Sequence, residues 1–236
     1  MWAQPERFPT GAKLSSPTHG WGAMNSSLAR QLVSEHPFEL VLPTGYEPGY
    51  AYPLVVHFHA DGGSEFEIHR WFPLISDRNY LGVGLRGPAL DATPLPGRYR
   101  WTDNDSAAHS ALEAVLDELS LDWNVHAGRI NLLGEGSGVF TALRLWMQNP
   151  GLIAGVICLR PPANWTTQLS PLPDNLPGRL LLDGIDLADP ETIAALDALG
   201  EAGVDLRIMD GSSPHPARQA RAINEWIMSS IDSAIV

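Results

Sequence analysis

The sequence predicts an α/β domain with a mostly parallel central sheet and helices on both faces. Two observations carry this. Short apolar runs of strand character alternate with segments whose apolar residues recur at helical spacing, from Pro53 to the C-terminal region; strands joined through helices build parallel crossovers. The run Pro53-Leu54-Val55-Val56-His57-Phe58-His59 also lacks the in-out alternation of a half-exposed strand, so it reads as buried. With 236 residues and 44% hydrophobic composition, the chain can bury one substantial core, and a single domain is the default.

Taken in order, residues 1–36 mix Gly, Pro, Ser and Trp without a period. They are expected to form an irregular arm packed on the body through Trp2 and Trp21, with a short helix near Ser26 to Leu32. The domain proper is expected over 37–236. Phe38 to Leu42, a Pro/Gly/Tyr turn region and Pro53 to His59 read as a hairpin-like strand pair. Glu65 to Ile75 places Phe66, Ile68, Trp71, Phe72 and Ile75 near helical spacing, and the strand Tyr80 to Leu85 completes a crossover.

The pattern then repeats. Asp105 to Leu121 carries Ala108, Leu112, Val115, Leu116 and Leu119 on one helical face. Next come a strand Arg129 to Leu133, a helix from about Ser137 to Gln148 and a strand Ile153 to Leu159. Pro161 to Pro177 is proline-rich and reads as a loop at the carboxyl edge of the sheet. Strand Arg179 to Leu182, helix Pro190 to Leu199 bounded by Pro190 and Gly200, strand Val204 to Met209 and a closing helix from about Ala217 to Ile231 finish the chain. In such a sheet the site lies at the carboxyl ends of the strands.

Composition narrows the partners. A formal charge of -12, from 15 basic and 27 acidic residues, disfavours ligands held through phosphates, so neither nucleic acid nor an anionic membrane surface is expected. No run of about eighteen uncharged apolar residues is present. The N-terminal stretch, with Glu6, Arg7 and Lys13, lacks the apolar core of a signal peptide, and a cytoplasmic protein is the expectation. Cys158 is the single cysteine; in the apolar run Gly155 to Leu159 it reads as a small buried hydrophobe instead of a catalytic thiol. No cofactor is expected.

The segment that bears on chemistry is Asn131-Leu132-Leu133-Gly134-Glu135-Gly136-Ser137-Gly138-Val139-Phe140-Thr141-Ala142-Leu143. A strand, a glycine-dense sharp turn and a helix follow one another, the layout of a nucleophile elbow. In an elbow the middle residue carries strained backbone angles, and small flanking residues let strand and helix approach. Here the middle residue is Gly136.

On these residues the chain resembles the phospholipase/carboxylesterase branch of the α/β-hydrolases, and is similar to dienelactone hydrolases and esterase-type depolymerases. Pro53 to Ser64 resembles the family's strand and His-Gly oxyanion loop, with His59 in the His position, Ala60 in place of the Gly, then Gly62-Gly63-Ser64. Leu85-Arg86-Gly87-Pro88 and Gly97-Arg98-Tyr99-Arg100-Trp101 resemble the Arg-Gly-Pro and Gly-x-x-Trp segments. Asp205 to His215 and Trp226 resemble the last strand, the catalytic-histidine loop and the final helix.

The resemblance implies an α/β-hydrolase fold and a site for small ester or acyl-type ligands. The family's G-x-S-x-G falls on Gly134-Glu135-Gly136-Ser137-Gly138, so Gly136 stands in the nucleophile position. A one-residue shift would make Ser137 the nucleophile, but Glu135 and Val139 would then crowd the turn; otherwise the Ser137 backbone N–H completes an oxyanion hole. His215 falls at the general base, with an ordinary surface histidine as the alternative. Asp186, then Asp189, is the candidate orienting carboxylate, or either caps the helix beginning at Pro190. His59, Ala60, Asp61 and Trp101 belong to the oxyanion loop and pocket wall, together with the Pro161 to Pro177 loop; Trp101 alternatively packs on the core.

The function implied is a carboxylesterase/phospholipase-like protein, catalytically impaired as a pseudoenzyme but retaining a small-ligand pocket; a homodimer is left open. Two other readings stand. One is an active serine carboxylesterase using Ser137 or a water activated by His215. The other is a metal-dependent hydrolase, because His57-Phe58-His59-Ala60-Asp61 matches most of an H-x-H-x-D signature whose imidazoles and carboxylate can hold zinc, although the next His of that signature is Gly62.

Overall fold

Continuous apolar runs become central strands because both of their faces are covered. In β2 (Tyr52–Phe58) every residue is buried. Val55 faces Ile68, Trp71 and Phe72, whereas its neighbour Val56 faces the opposite cluster with Ala142, Leu143 and Trp146. The same division separates Leu132 from Leu133 in β6 (Val125–Glu135), Val156 from Ile157 in β7 (Ile153–Leu159) and Leu180 from Leu181 in β8 (Arg179–Asp183). Strand side chains alternate between faces, so a sheet coated on both sides requires apolar residues at consecutive positions.

The computed structural model describes residues 36–92, 96–209 and 215–232. The expected N-terminal arm, with its Trp2 and Trp21 contacts and the helix near Ser26, lies outside them. Among the described residues a seven-stranded sheet has the order β1-β3-β2-β6-β7-β8-β9, with β1 (Phe38–Val41), β3 (Leu81–Leu85) and β9 (Asp205–Ile208) completing the set. β1 is antiparallel to its neighbour and all other pairings are parallel. The helices are α1 (Ile68–Ile75), α2 (Asp105–Asp122), α3 (Gly138–Gln148), α4 (Pro190–Glu201) and α5 (Pro216–Asp232). The core clusters place α1 and α5 residues on one face, α2 and α3 residues on the other. Among the described residues no helix is long and apolar enough to cross a membrane, and Cys158 is fully buried, where burial pushes its thiol pKa up.

Two expectations change, and one small sheet is new. β1 does not form a hairpin with β2: it pairs with β3, Phe38 opposite Leu85 and Val41 opposite Gly82, while β3 lies between them. The half-buried β1 suits a sheet edge, whereas fully buried β2 needs a strand on each side. Gly200 does not end its helix; α4 runs on to Glu201, and Gly203 at φ 91° makes the exit. There the Gly203 N–H donates to Gly200 O and the Val204 N–H to Leu199 O, the paired bonds of a Schellman ending. Finally, β4 (Ala89–Leu90) and β5 (Tyr99–Arg100) form a small antiparallel sheet unseen in the sequence, and Tyr99 bridges to Gly63.

Candidate functional site

The elbow is built from close approach. A Cβ on Gly134 would lie 2.6 Å from Val139 Cα, and one on Gly138 2.2 Å from Phe58 O, so only glycine lets β6 turn into α3 at this spacing. Between them the chain reverses at Gly136, which has φ 53°, left-handed backbone that disfavours side chains. Its N–H donates to Leu159 O at 2.9 Å. A Cβ placed there would meet Ala60 Cβ at 3.0 Å. Ser137 is already helical, with φ -62° and ψ -23°, and its Oγ accepts the Asp61 N–H at 2.8 Å.

Facing the elbow is the loop after β2. His59 is fully buried; its Nε2 accepts the Gly87 N–H at 3.0 Å, which places the ring proton on Nδ1, 2.8 Å from Ala60 O. Burial holds its pKa below the ordinary imidazole value, overriding the opposing bond to Ala60 O. The Trp101 indole donates to His59 O at 3.1 Å and packs 5.0 Å from Phe58. The loop is closed by Gly63 N–H to Ala60 O and Gly62 N–H to Tyr99 O, both 2.9 Å. Trp101 therefore packs on the core as well as facing the cleft described below.

The H-x-H-x-D segment does not assemble as a metal centre. Both His59 nitrogens are engaged by backbone, His57 turns toward Glu135, whose Oε2 lies 3.8 Å from its Nε2, and Asp61 is exposed. Among the described residues no group of three His, Cys, Asp or Glu is arranged to hold a metal ion.

A feature the sequence did not announce surrounds Glu135. Its buried carboxylate is paired with Arg70 and Arg160, and accepts the Trp71 indole N–H at 3.1 Å. Burial alone would raise its pKa; the contacts with His57, Trp71 and Arg70 outweigh this and hold it at about 2. Arg160 is a non-glycine residue at positive φ, 49°, so ionic contacts hold both the end of β6 and the start of the loop after β7. Asp183, at the end of β8, is likewise buried and accepts from Gln219 Nε2 of α5 at 2.6 Å.

The candidate acid and base stand apart. Asp189 caps α4: Oδ2 accepts the Thr192 N–H at 3.0 Å and its Oγ1 at 2.9 Å, bonds that hold its pKa below the ordinary carboxylate value. Exposed Asp186 accepts the Ala188 N–H at 2.8 Å in its own turn. His215 is exposed at the start of α5, and among the described residues no hydrogen bond or ion pair joins it to either aspartate. The single pocket expected from Asp61, Trp101 and the Pro161 to Pro177 loop is two clefts. One, of about 310 Å³, gathers Asp61, Trp101 and Ser137 with Arg100, Thr141 and Arg144. The second, of about 500 Å³, gathers Asp186 and Asp189 with Pro161, Pro162 and Trp165. Arg144 pairs with Asp105 and donates to Gln168 Oε1 at 2.6 Å, which ties α3 to the start of α2.

No family model and no curated protein matches the chain. Solved structures do. The carboxylesterase of Bacillus cereus superposes with a TM-score of 0.61 at 16% identity, over 86% of this chain and 98% of that one. A carboxylesterase from Mesorhizobium loti gives 0.59 at 21% identity, over 83% and 96%. A fungal esterase structure from Rhizomucor miehei gives 0.55 at 14%, over 93% of each chain. Such identities speak to architecture and leave chemistry to the site. With its parallel sheet, covering helices and glycine-built elbow at the carboxyl end of β6, the chain has the α/β-hydrolase fold.

Proposed function

We propose that the protein is a carboxylesterase-like member of this fold disarmed at its elbow: Gly136 holds the nucleophile position, and the adjoining cleft binds a small ester or acyl-type ligand without turning it over at an enzyme's rate. The observation that carries the reading is where the strained backbone falls. In an elbow the residue with left-handed angles bears the nucleophile; here that residue is Gly136 at φ 53°, while Ser137 already has helical angles. Ala60 supports it independently, because its methyl stands 3.0 Å from the place a side chain at 136 would begin.

Acyl transfer through a covalent intermediate needs a hydroxyl or thiol beside a base. In subtilisin, loss of the serine lowers kcat about a million-fold. By the resemblance His215 and Asp186 would serve as base and orienting acid, but at residue 136 there is no hydroxyl for a base to activate, and among the described residues no hydrogen bond or ion pair joins the two. The test is to incubate the protein with a fluorophosphonate probe and with p-nitrophenyl butyrate. No labelling and background hydrolysis are expected. Labelling mapped to Ser137, with turnover that vanishes in Ser137→Ala, would overturn the reading in favour of a displaced nucleophile.

A further inference from the structure

We propose that Ser137 is an internal stopper of this site: its hydroxyl takes the Asp61 N–H that would otherwise receive the carbonyl or carboxylate oxygen of a ligand. This rests on the reading above for the kind of ligand; the contact itself is a matter of geometry. Ser137 and Asp61 are 76 residues apart, and their bond of 2.8 Å joins the N-cap of α3 to the loop after β2.

Both partners are aimed by contacts that do not involve each other. The loop is framed by Gly63 N–H to Ala60 O and Gly62 N–H to Tyr99 O, by His59 Nδ1 to Ala60 O at 2.8 Å, and by Arg98 Nη1 donating to Gly62 O at 2.9 Å. Ser137 is fixed by its helical backbone and by the Phe140 N–H, which its carbonyl accepts at 3.1 Å. Removing the hydroxyl therefore leaves a held, unpaired N–H instead of a collapsed loop. Asp61 and Ser137 both line the cleft shared with Trp101, Arg100, Asp103 and Arg144, the last paired with Asp105, and an unpaired N–H there suits an acceptor oxygen of a carbonyl or carboxylate. One N–H forms one strong bond, so ligand oxygen and Ser137 hydroxyl exclude each other. With no side chain at Gly136 to hold a ligand covalently, the ligand must displace the hydroxyl unaided.

The experiment follows the Asp61 amide by NMR in the wild type and in Ser137→Ala, with sodium butyrate as the probe. Expected are an Asp61 amide protected from solvent exchange in the wild type, exchange about tenfold faster in Ser137→Ala, and a saturable butyrate shift at Asp61 with Kd about tenfold lower in the variant. A wild-type Asp61 amide that exchanges as freely as an unstructured loop, or butyrate affinity equal in the two proteins, overturns the proposal; the first is read on the unaltered protein, so it does not depend on how the variant folds. The two readings fail separately. Fluorophosphonate labelling of the wild type sinks the disarmed elbow, whereas a silent probe with unchanged Asp61 exchange sinks only the stopper.

Discussion

Replacing Gly136 by serine supplies the hydroxyl that the proposed reading finds missing, and the backbone and packing at this position make that single change costly. A side chain at φ 53° carries a left-handed strain of about 1–2 kcal/mol. Its Cβ would also stand 3.0 Å from the Ala60 methyl, a squeeze worth about 1–2 kcal/mol in a packed setting. Gly136→Ser should therefore lose about 2–4 kcal/mol, which for a chain of this size lowers Tm by about 10 °C. Ala60→Gly removes the second contribution and leaves the first. Thermal or denaturant unfolding of the wild type, both single variants and the double variant forms a complete cycle. The expected coupling is about 1–2 kcal/mol in favour of the double variant. Additivity within about 0.5 kcal/mol would refute the claim that Ala60 occupies the space a residue at 136 needs.

Other outcomes follow from neighbouring groups. Glu135 is held from its ordinary 4.5 down to about 2, so its share of stability is fully present above about pH 4.5 and is lost as pH falls toward 2. Glu135→Gln should cost about 2 kcal/mol near neutrality, discounted because Arg70 and Arg160 are half exposed, and should flatten the acid limb of a stability profile; an unchanged limb would show that the carboxylate is not held by its neighbours. Asp189→Ala removes the α4 cap and should lower the urea midpoint; an unchanged midpoint would show that the cap bonds are incidental. His59→Ala should lose about 3 kcal/mol by orphaning the Gly87 N–H and leaving a cavity. Metal analysis of the purified protein should find zinc well below one per chain in both wild type and variant.

The parallel sheet was legible because consecutive residues such as Val55 and Val56 serve opposite faces, which writes an unbroken apolar run into the sequence. Pairing was not. Nothing local distinguishes β1 lying beside β2 from β1 lying beside β3, because edge position is settled by which strand is covered on both sides. The glycine spacing at 134, 136 and 138 exposed the elbow at once, since 134 and 138 leave no room for a Cβ and 136 takes a left-handed turn. The ionic setting of Glu135 stayed hidden because Arg70 lies 65 residues away and Arg160 lies 25. Ser137 to Asp61 and Ala60 to Gly136 were hidden for the same reason: each contact forms only when the β2 loop folds over α3.

Glycine at the sharpest bend also changes what the scaffold must endure. A hydrolase that keeps a side chain there carries permanent conformational tension at its centre, and must offset it with good packing elsewhere. This chain has no such tension at residue 136, and next to the bend Glu135 is held by Arg70 and Arg160. On the disarmed reading proposed above, foldedness is independent of turnover, and the surrounding cleft is free to drift toward new occupants while the architecture persists.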